Sequence, residues 1–426
     1  MNSTDVCVMT RNKIAVHFGL AFTSVILFFN NCGKFSSISP REVLPQVSIV
    51  SNAPPLFIAG SELNVLEVSV GCGYVNEPCV TVEICRPGSS SCVVVNNVLL
   101  DTGSYGLRIF SSALSSLALT QEIDASGHSL AECQSYADGS SQWGPVVRAD
   151  VKMGGEIATN IPIQSVSASF GSAPSDCTNL DVGPSDAGFN GILGVGHFIY
   201  DCGTMCEKYS NNRVYFNCSV SSINCTNSSI SVAAKYQVMN PVAALSTDNN
   251  GVILQLPDIS PQGATGATGW LIFGIGTQSS NTPPSGVVTF PADSSNGNFL
   301  TTLGSITYSA FIDSGSNGLY FPTPSGMTVC SDLPGFFCPS PPQVLTATQM
   351  GYAGTPTQDI QFEIRNADKA LNTYNADRVF NNIGGPFSSE FDWGLPFFLG
   401  RTIYVGLEPA SASSTTILGK GPFWAY

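Results

Sequence analysis

Leu99-Leu100-Asp101-Thr102-Gly103-Ser104-Tyr105-Gly106-Leu107 recurs as Phe311-Ile312-Asp313-Ser314-Gly315-Ser316-Asn317-Gly318-Leu319. In each copy an apolar run meets an Asp, a small hydroxyl residue and a Gly. The apolar run reads as a buried strand leading to the carboxylate. The Gly permits a tight turn and the close approach of a neighbour. The hydroxyls can hold a carboxylate by hydrogen bonding. One copy alone would be a turn former, as a Gly-flanked Asp at a strand end usually is. Two copies, one in each half, predict two related lobes rather than a short-period solenoid. They also predict two carboxylates brought face to face.

Such a pair has a defined chemistry. Two carboxylates about 3 Å apart repel by about 5 kcal/mol at an effective dielectric of about 20. That corresponds to about 4 pKa units of splitting. The pair therefore keeps one proton over a wide acidic-to-neutral window. Its ionised member can take a proton from a trapped water, and its protonated member can polarise a peptide carbonyl.

The rest of the chain agrees with a β-rich, exported protein. It has 426 residues, 16 Lys+Arg against 30 Asp+Glu, a net charge of −14, and 43% hydrophobic against 11% charged residues. This excludes intrinsic disorder. It leaves no basic excess for nucleic acid. Gly 42 and Pro 27 imply many turns and an all-β class. Short apolar runs separated by turn residues read as strands, among them Val93–Leu100, Ile253–Leu256, Trp270–Phe273, Val287–Phe290 and Tyr308–Ile312. Ser112–Thr120 and Ser231–Met239 are the helix candidates, the second stopped by Pro241. Gly263–Gly269 reads as a flexible turn.

Arg11 and Lys13 precede an apolar run, Ile14–Phe29, and Cys32 follows. This is a secretory pattern over 1–32, with a lipoprotein-like processing site at Cys32 and a tether over 33–46. The N-terminal lobe is expected over 47–245 and the C-terminal lobe over 246–426. Setting aside Cys7 and Cys32 leaves twelve of the 14 cysteines. Cys72/Cys79, Cys85/Cys92, Cys202/Cys206, Cys218/Cys225 and Cys330/Cys338 lie close together, which suggests short disulfide-stapled loops with the connectivity open. Zinc is disfavoured, because no C-x-x-C pair occurs and only three histidines exist (His17, His128, His197). His197 is expected as a core or loop residue, and the aromatics Trp393, Phe397 and Phe398 are expected in the core.

These motifs, in this order, resemble those of the pepsin-like aspartic peptidases. The resemblance implies a bilobal all-β fold, with a cleft between two related β lobes. It makes Asp101 and Asp313 the catalytic pair. Thr102 and Ser314 would cross-link the two loops, with Gly103 and Gly315 beside them. Ser104 and Ser316 would hold the outer carboxylate oxygens. Ser135–Ser140 resembles the flap hairpin, with Tyr136 at the flap tyrosine followed by Asp138 and Gly139. Gly191–Gly196 resembles the segment behind the first Asp, and Phe398-Leu399-Gly400, running on to Tyr404, the segment behind the second. No cofactor and no metal are implied.

A second resemblance is to a family of uncharacterised bacterial secreted proteins. It rests on Leu100–Arg108, Ala137–Gly139, Ile312–Pro322, Asp248–Val252 and Phe391–Pro396. Two departures from the pepsin-like pattern stand out. Arg108 replaces a Trp that supports the flap tyrosine. It is expected at the surface or in a salt bridge, close enough to Asp101 to depress its carboxyl, with Trp143 as substitute support for Tyr136. Arg401 replaces an Asp behind Asp313.

The functional expectation is an exported, monomeric aspartic endopeptidase acting on peptides or unfolded protein in the inter-lobe cleft. It would meet a membrane only through an N-terminal lipid anchor. The alternative is a catalytically inactive cell-surface binding protein on the same scaffold, using the Cys202–Cys225 and Cys330–Cys338 loops for recognition.

Overall fold

The computed structural model describes residues 62–426 apart from 125, 220–223, 374 and 410–414. The leader, the tether, Cys32 and the first residues of the expected N-terminal lobe lie outside the described residues. The chain is all-β, with two sheets that place the two Asp motifs in matching surroundings.

The strand Cys92–Asp101 buries Val95, Val98 and Leu100. It lies between Pro78–Cys85, antiparallel, and Gly191–Val195, parallel, with Asp101 opposite Gly194. The strand Ile306–Ile312 repeats this arrangement. It lies between Phe299–Leu303, antiparallel, and Glu390–Trp393, parallel, with Ile312 opposite Trp393. The strand after each motif then pairs antiparallel with that same parallel neighbour. Tyr105–Phe110 runs along Gly191–Val195, and Leu319–Phe321 along Glu390–Trp393. The parallel neighbour is buried on both faces, which is why Gly191–Val195 is an apolar run with little alternation; Glu390–Trp393 is equally buried from Phe391 onward but carries Asp392 between Phe391 and Trp393. Apolar side chains of both halves, including Leu100, Leu193, Ile312, Phe391 and Trp393, form one core.

The larger sheet also joins the halves. Val65–Val70 pairs along its whole length with Ala267–Phe273, which continues through Gly251–Gln255 to Thr402–Gly406 and Phe423–Ala425.

Several local expectations are corrected. Ser112–Thr120 forms turns and extended chain rather than a helix. Its backbone closes i to i+3 turns, Leu114 N to Ser111 O and Leu117 N to Leu114 O, and only Leu114 is buried, too few apolar contacts to anchor a helix. Ser231–Met239 is helical only as the single 3-10 turn Ala234–Tyr236. Tertiary acceptors take its backbone donors: Val232 N donates to Cys206 O and Met239 N to Pro162 O. Gly263–Gly269 is not all turn, since Ala267–Gly269 begins a strand. Gly269 is needed there, because a Cβ would come within 2.2 Å of Gln255 O.

All twelve described cysteines are paired. The five close pairs bond as spaced, and Cys133 bonds Cys177. No helix among the described residues is long and apolar enough to cross a membrane.

Candidate active site

The two Asp loops are bonded to each other by their own hydroxyls. Thr102 N donates to Ser314 Oγ (3.1 Å) and Thr102 Oγ1 to Ile312 O (2.9 Å). Ser314 N donates to Thr102 Oγ1 (3.0 Å) and Ser314 Oγ to Leu100 O (2.7 Å). Both side chains are buried, so these bonds replace water that cannot reach them.

Each carboxylate is held by the same two donors. Gly103 N donates to Asp101 Oδ1 and Gly315 N to Asp313 Oδ1, both at 2.7 Å. Ser104 Oγ donates to Asp101 Oδ2 at 2.5 Å and Ser316 Oγ to Asp313 Oδ2 at 2.8 Å. The glycines let the carboxyls approach. A Cβ on Gly103 would lie 2.6 Å from Asp313 Cγ, and one on Gly315 2.9 Å from Asp101 Oδ1. The two carboxyls face each other across these glycines: the Cβ on Gly315 that would lie 2.9 Å from Asp101 Oδ1 would lie 3.2 Å from Asp313 Oδ1. Burial, then the charges of Asp101 and Asp392, push the Asp313 carboxyl well above the usual range. The pair can therefore hold a proton at Asp313.

The segment behind Asp313 differs from expectation. Glu390–Trp393 and Gly394, not Phe398-Leu399-Gly400, match Gly191–Gly194. A Cβ on Gly394 would strike Gly318 O and Ser316 O, as one on Gly194 would strike the backbone of Ser104 and Tyr105. Phe398 and Leu399 belong instead to a turn leading into Thr402–Gly406. Arg401 is correspondingly not behind Asp313. It is buried over the Phe397 ring (4.2 Å), donates to Phe397 O at 2.6 Å, and is pulled down to about 10 by burial.

Arg108 is not at the surface. It is wholly buried, bonded to Glu132 (2.5 Å) and Asp201 (3.1 Å), and donates to Tyr105 O (2.7 Å). Its charge is thus committed to those acids rather than to Asp101. Burial, then Glu132, pushes the Asp201 carboxyl well up.

Tyr136 sits at the tip of the hairpin joining Ser129–Ser135 to Ser141–Met153. Asp138 Oδ1 closes the turn by accepting from Ser140 N (2.8 Å), and Gly139 takes a positive φ of 83°. Tyr136 Oη donates to Gln142 Oε1 at 3.0 Å. Trp143 does not support it. The indole points the other way and donates to Phe170 O at 2.7 Å. The tyrosine hydroxyl is pushed up, first by burial, and lies in the field of Asp101.

Sequence reasoning missed a loop beside this pair. Gly71–Cys79, closed by the Cys72–Cys79 disulfide, reaches from the first half to the second. Asn76 Nδ2 donates to Asn317 O and Phe380 O, both at 2.8 Å. Tyr74 lies in the fields of Asp101, Asp313 and Asp138. Glu77, fully buried, accepts from Gly73 N and Tyr74 N and is pushed up to about 7 by burial. Only the close Cys spacing pointed to this loop. Asp392 was also missed, because its motif, Phe391–Pro396, entered only as part of a family resemblance and nothing in it singles out the Asp.

No curated protein matches the chain. Among solved structures it is similar to an aspartic proteinase from Irpex lacteus, at 15% identity and a TM-score of 0.46, with 85% of this chain and 96% of that chain covered. Residues 60–426 match the family described as "Protein of unknown function (DUF3443)", and the chain belongs to that family.

Proposed function

We infer that the protein is an aspartic-type endopeptidase. One observation carries this reading: Asp101 and Asp313 face each other across Gly103 and Gly315, and each is held by a backbone N–H and a serine hydroxyl. Water between them adds its oxygen to the peptide carbonyl carbon. Its proton passes to Asp101, while Asp313 donates to the carbonyl oxygen. The resulting diol collapses as a proton moves to the amide nitrogen and the C–N bond breaks. No covalent intermediate with the protein forms.

Tyr136 and its hairpin would close over an extended peptide or unfolded chain. Six disulfides support export, and we extend the reading to a monomer anchored by lipid at Cys32. The lobe boundary at 245/246 belongs to the same proposal.

The test is cleavage of a diverse peptide library by residues 33–426 between about pH 3 and 7, the window of a shared-proton pair. Cleavage blocked by a statine-type inhibitor and abolished in a folded Asp101→Asn variant is expected. No cleavage anywhere in that window overturns the reading in favour of a non-enzymatic binding protein.

A further inference from the structure

Tyr74, Val75 and Asn76, at the centre of the disulfide-closed loop Gly71–Cys79, grip both halves of the molecule. Asn76 is wholly buried, and its side-chain amide is spent entirely on the second half. Its Nδ2 donates to Asn317 O and to Phe380 O, both at 2.8 Å, and its Oδ1 accepts from Phe380 N at 2.7 Å. These bonds use both amide hydrogens and the amide oxygen. The Asn76 backbone N donates to Arg378 O at 2.8 Å. Asn76 also holds a positive φ of 59°, which Asn tolerates better than most residues. Val75 packs against the second-half group that includes Phe380 and Ile383. Tyr74 faces the first half. It packs, with Tyr136 of the flap hairpin, against the group that includes Phe110 and Phe189. Its ring lies on Gly188, where a Cβ would come within 3.1 Å of Tyr74 Cδ1.

The loop between these grips is closed on itself. Glu77 accepts from Gly73 N and Tyr74 N, and Gly71 N donates to Glu77 O at 2.8 Å. The backbone of Gly73 is pressed on that of Gly188, since a Cβ there would lie 2.4 Å from Gly188 O. The loop is therefore a strap between the halves rather than a free turn. Its second-half anchor is close to the chemistry. Asn317 follows Ser316, whose hydroxyl donates to Asp313 Oδ2 at 2.8 Å. Asn317 is four residues after Asp313, a stretch of chain that spans at most about 14 Å. The turn that precedes Phe299–Leu303, as the strap precedes Pro78–Cys85, is Asp293–Asn298. It bonds within itself and to Ser309, Glu390 and Trp424, and among the described residues none of its hydrogen bonds reaches the first half. The strap is thus one-sided.

We propose that this strap is the end wall of the substrate cleft on one side of the scissile bond, so that Tyr74 and Asn76 determine specificity by limiting a bound peptide there to about four extended residues, the length that covers about 14 Å. The site then favours short peptides, or bonds near one end of a chain, over internal segments of long unfolded chains. A longer peptide must bend out of the cleft at the strap and order residues that gain no contact. Pushing the strap aside is no easier, because it would strand the buried Phe380 N–H and the carbonyls of Asn317, Phe380 and Arg378.

The inference deepens the peptidase reading and rests on it for its kinetic form. Starting from a short peptide that the protein cuts, residues are added one at a time at the N-terminus in one ladder and at the C-terminus in another, with product masses fixing the bond cut. In one ladder kcat/KM should fall by at least about tenfold, about 1.4 kcal/mol, beyond about four residues from that bond, and in the other it should not. Ladders that behave alike overturn the proposal. Asn76→Ala unties the strap and should erase the fall in the affected ladder while leaving the other ladder unchanged, which a general loss of stability would not do. Tyr74→Ala keeps every Asn76 bond, should lessen the fall, and serves as the test if Asn76→Ala does not fold. A fall undiminished in the folded variants overturns the proposal. Failure of the peptidase reading is separable: if no peptide is cut, the same ladders, labelled, are read as binding by fluorescence anisotropy. Weakening in one ladder alone then supports the wall, and equal weakening, or none, overturns it.

Discussion

Thr102 and Ser314 each donate a side-chain hydrogen bond to the backbone leading into the other's loop, and each accepts the other's backbone N–H. Two residues far apart in the chain thereby fix the separation of two carboxyls to the precision of a hydrogen bond.

Removing one hydroxyl should therefore cost more than one bond. Ser314→Ala strands the Thr102 N–H and the Leu100 carbonyl, at a cost of about 2–3 kcal/mol. Thr102→Val strands the Ser314 N–H and the Ile312 carbonyl at a similar cost. Because they share partners, the double variant should cost well under the sum. Urea unfolding of the four proteins measures this directly, and strict additivity would mean that the loops are held by something else.

Gly103→Ala should separate the pair without unfolding the chain. Its Cβ would lie 2.6 Å from Asp313 Cγ, so one carboxyl must move. Peptide cleavage should fall by at least about 100-fold, since displacement by about 1 Å has that effect. Gly183→Ala is the control: nothing lies near its Cβ and its φ of 170° is open to any residue. Its stability should stay within about 0.5 kcal/mol of wild type.

Arg108→Met should be among the most damaging single changes. It leaves Glu132 and Asp201 buried together with no cation, at a cost of about 3–5 kcal/mol. Adding Glu132→Gln and Asp201→Asn should recover much of the loss, because the stranded charge is then gone. Thermal melts of the single and triple variants check both statements.

Two buried groups should give stability opposite slopes with pH. Burial raises Glu77 to about 7, so the folded chain holds a proton that the unfolded chain releases near pH 4.5. Its contribution is present below about pH 4.5 and is lost as pH rises through 7. Burial lowers His197 to about 4, although its Nδ1 lies 2.9 Å from Gly406 O. Its contribution is present above about pH 6.5 and is lost as pH falls through 4. Each slope is about 1.4 kcal/mol per pH unit, so between about pH 4.5 and 6.5 they should nearly cancel. Glu77→Gln should expose stability that rises with pH, and His197→Gln stability that falls. Urea unfolding at three pH values across that interval reads the sign, and a flat profile in both variants would refute the account.

The legible parts of this protein were those carried by local pattern. Short apolar runs between Gly and Pro announced strands, because a strand's neighbours on the chain already define its period. The duplicated Asp motif announced a pair, because the same hydroxyls and glycines recur around each carboxyl. Cysteines seven residues apart announced loops they could close, whereas Cys133 and Cys177, 44 apart, carried no such signal. What escaped were charges that folding buries. Arg108 and Glu77 look like surface residues, since a lone charged side chain usually stays in water. Their burial depends on partners such as Glu132 and Gly73 that no spacing rule connects to them. Likewise Phe398-Leu399-Gly400 is a plain apolar run ending in Gly, whereas Phe391-Asp392-Trp393-Gly394 has a carboxyl in its middle, so local pattern favoured the first. Strand register alone placed Phe391–Gly394 behind Asp313, because pairing across a sheet is set by the whole packed core and not by any one segment.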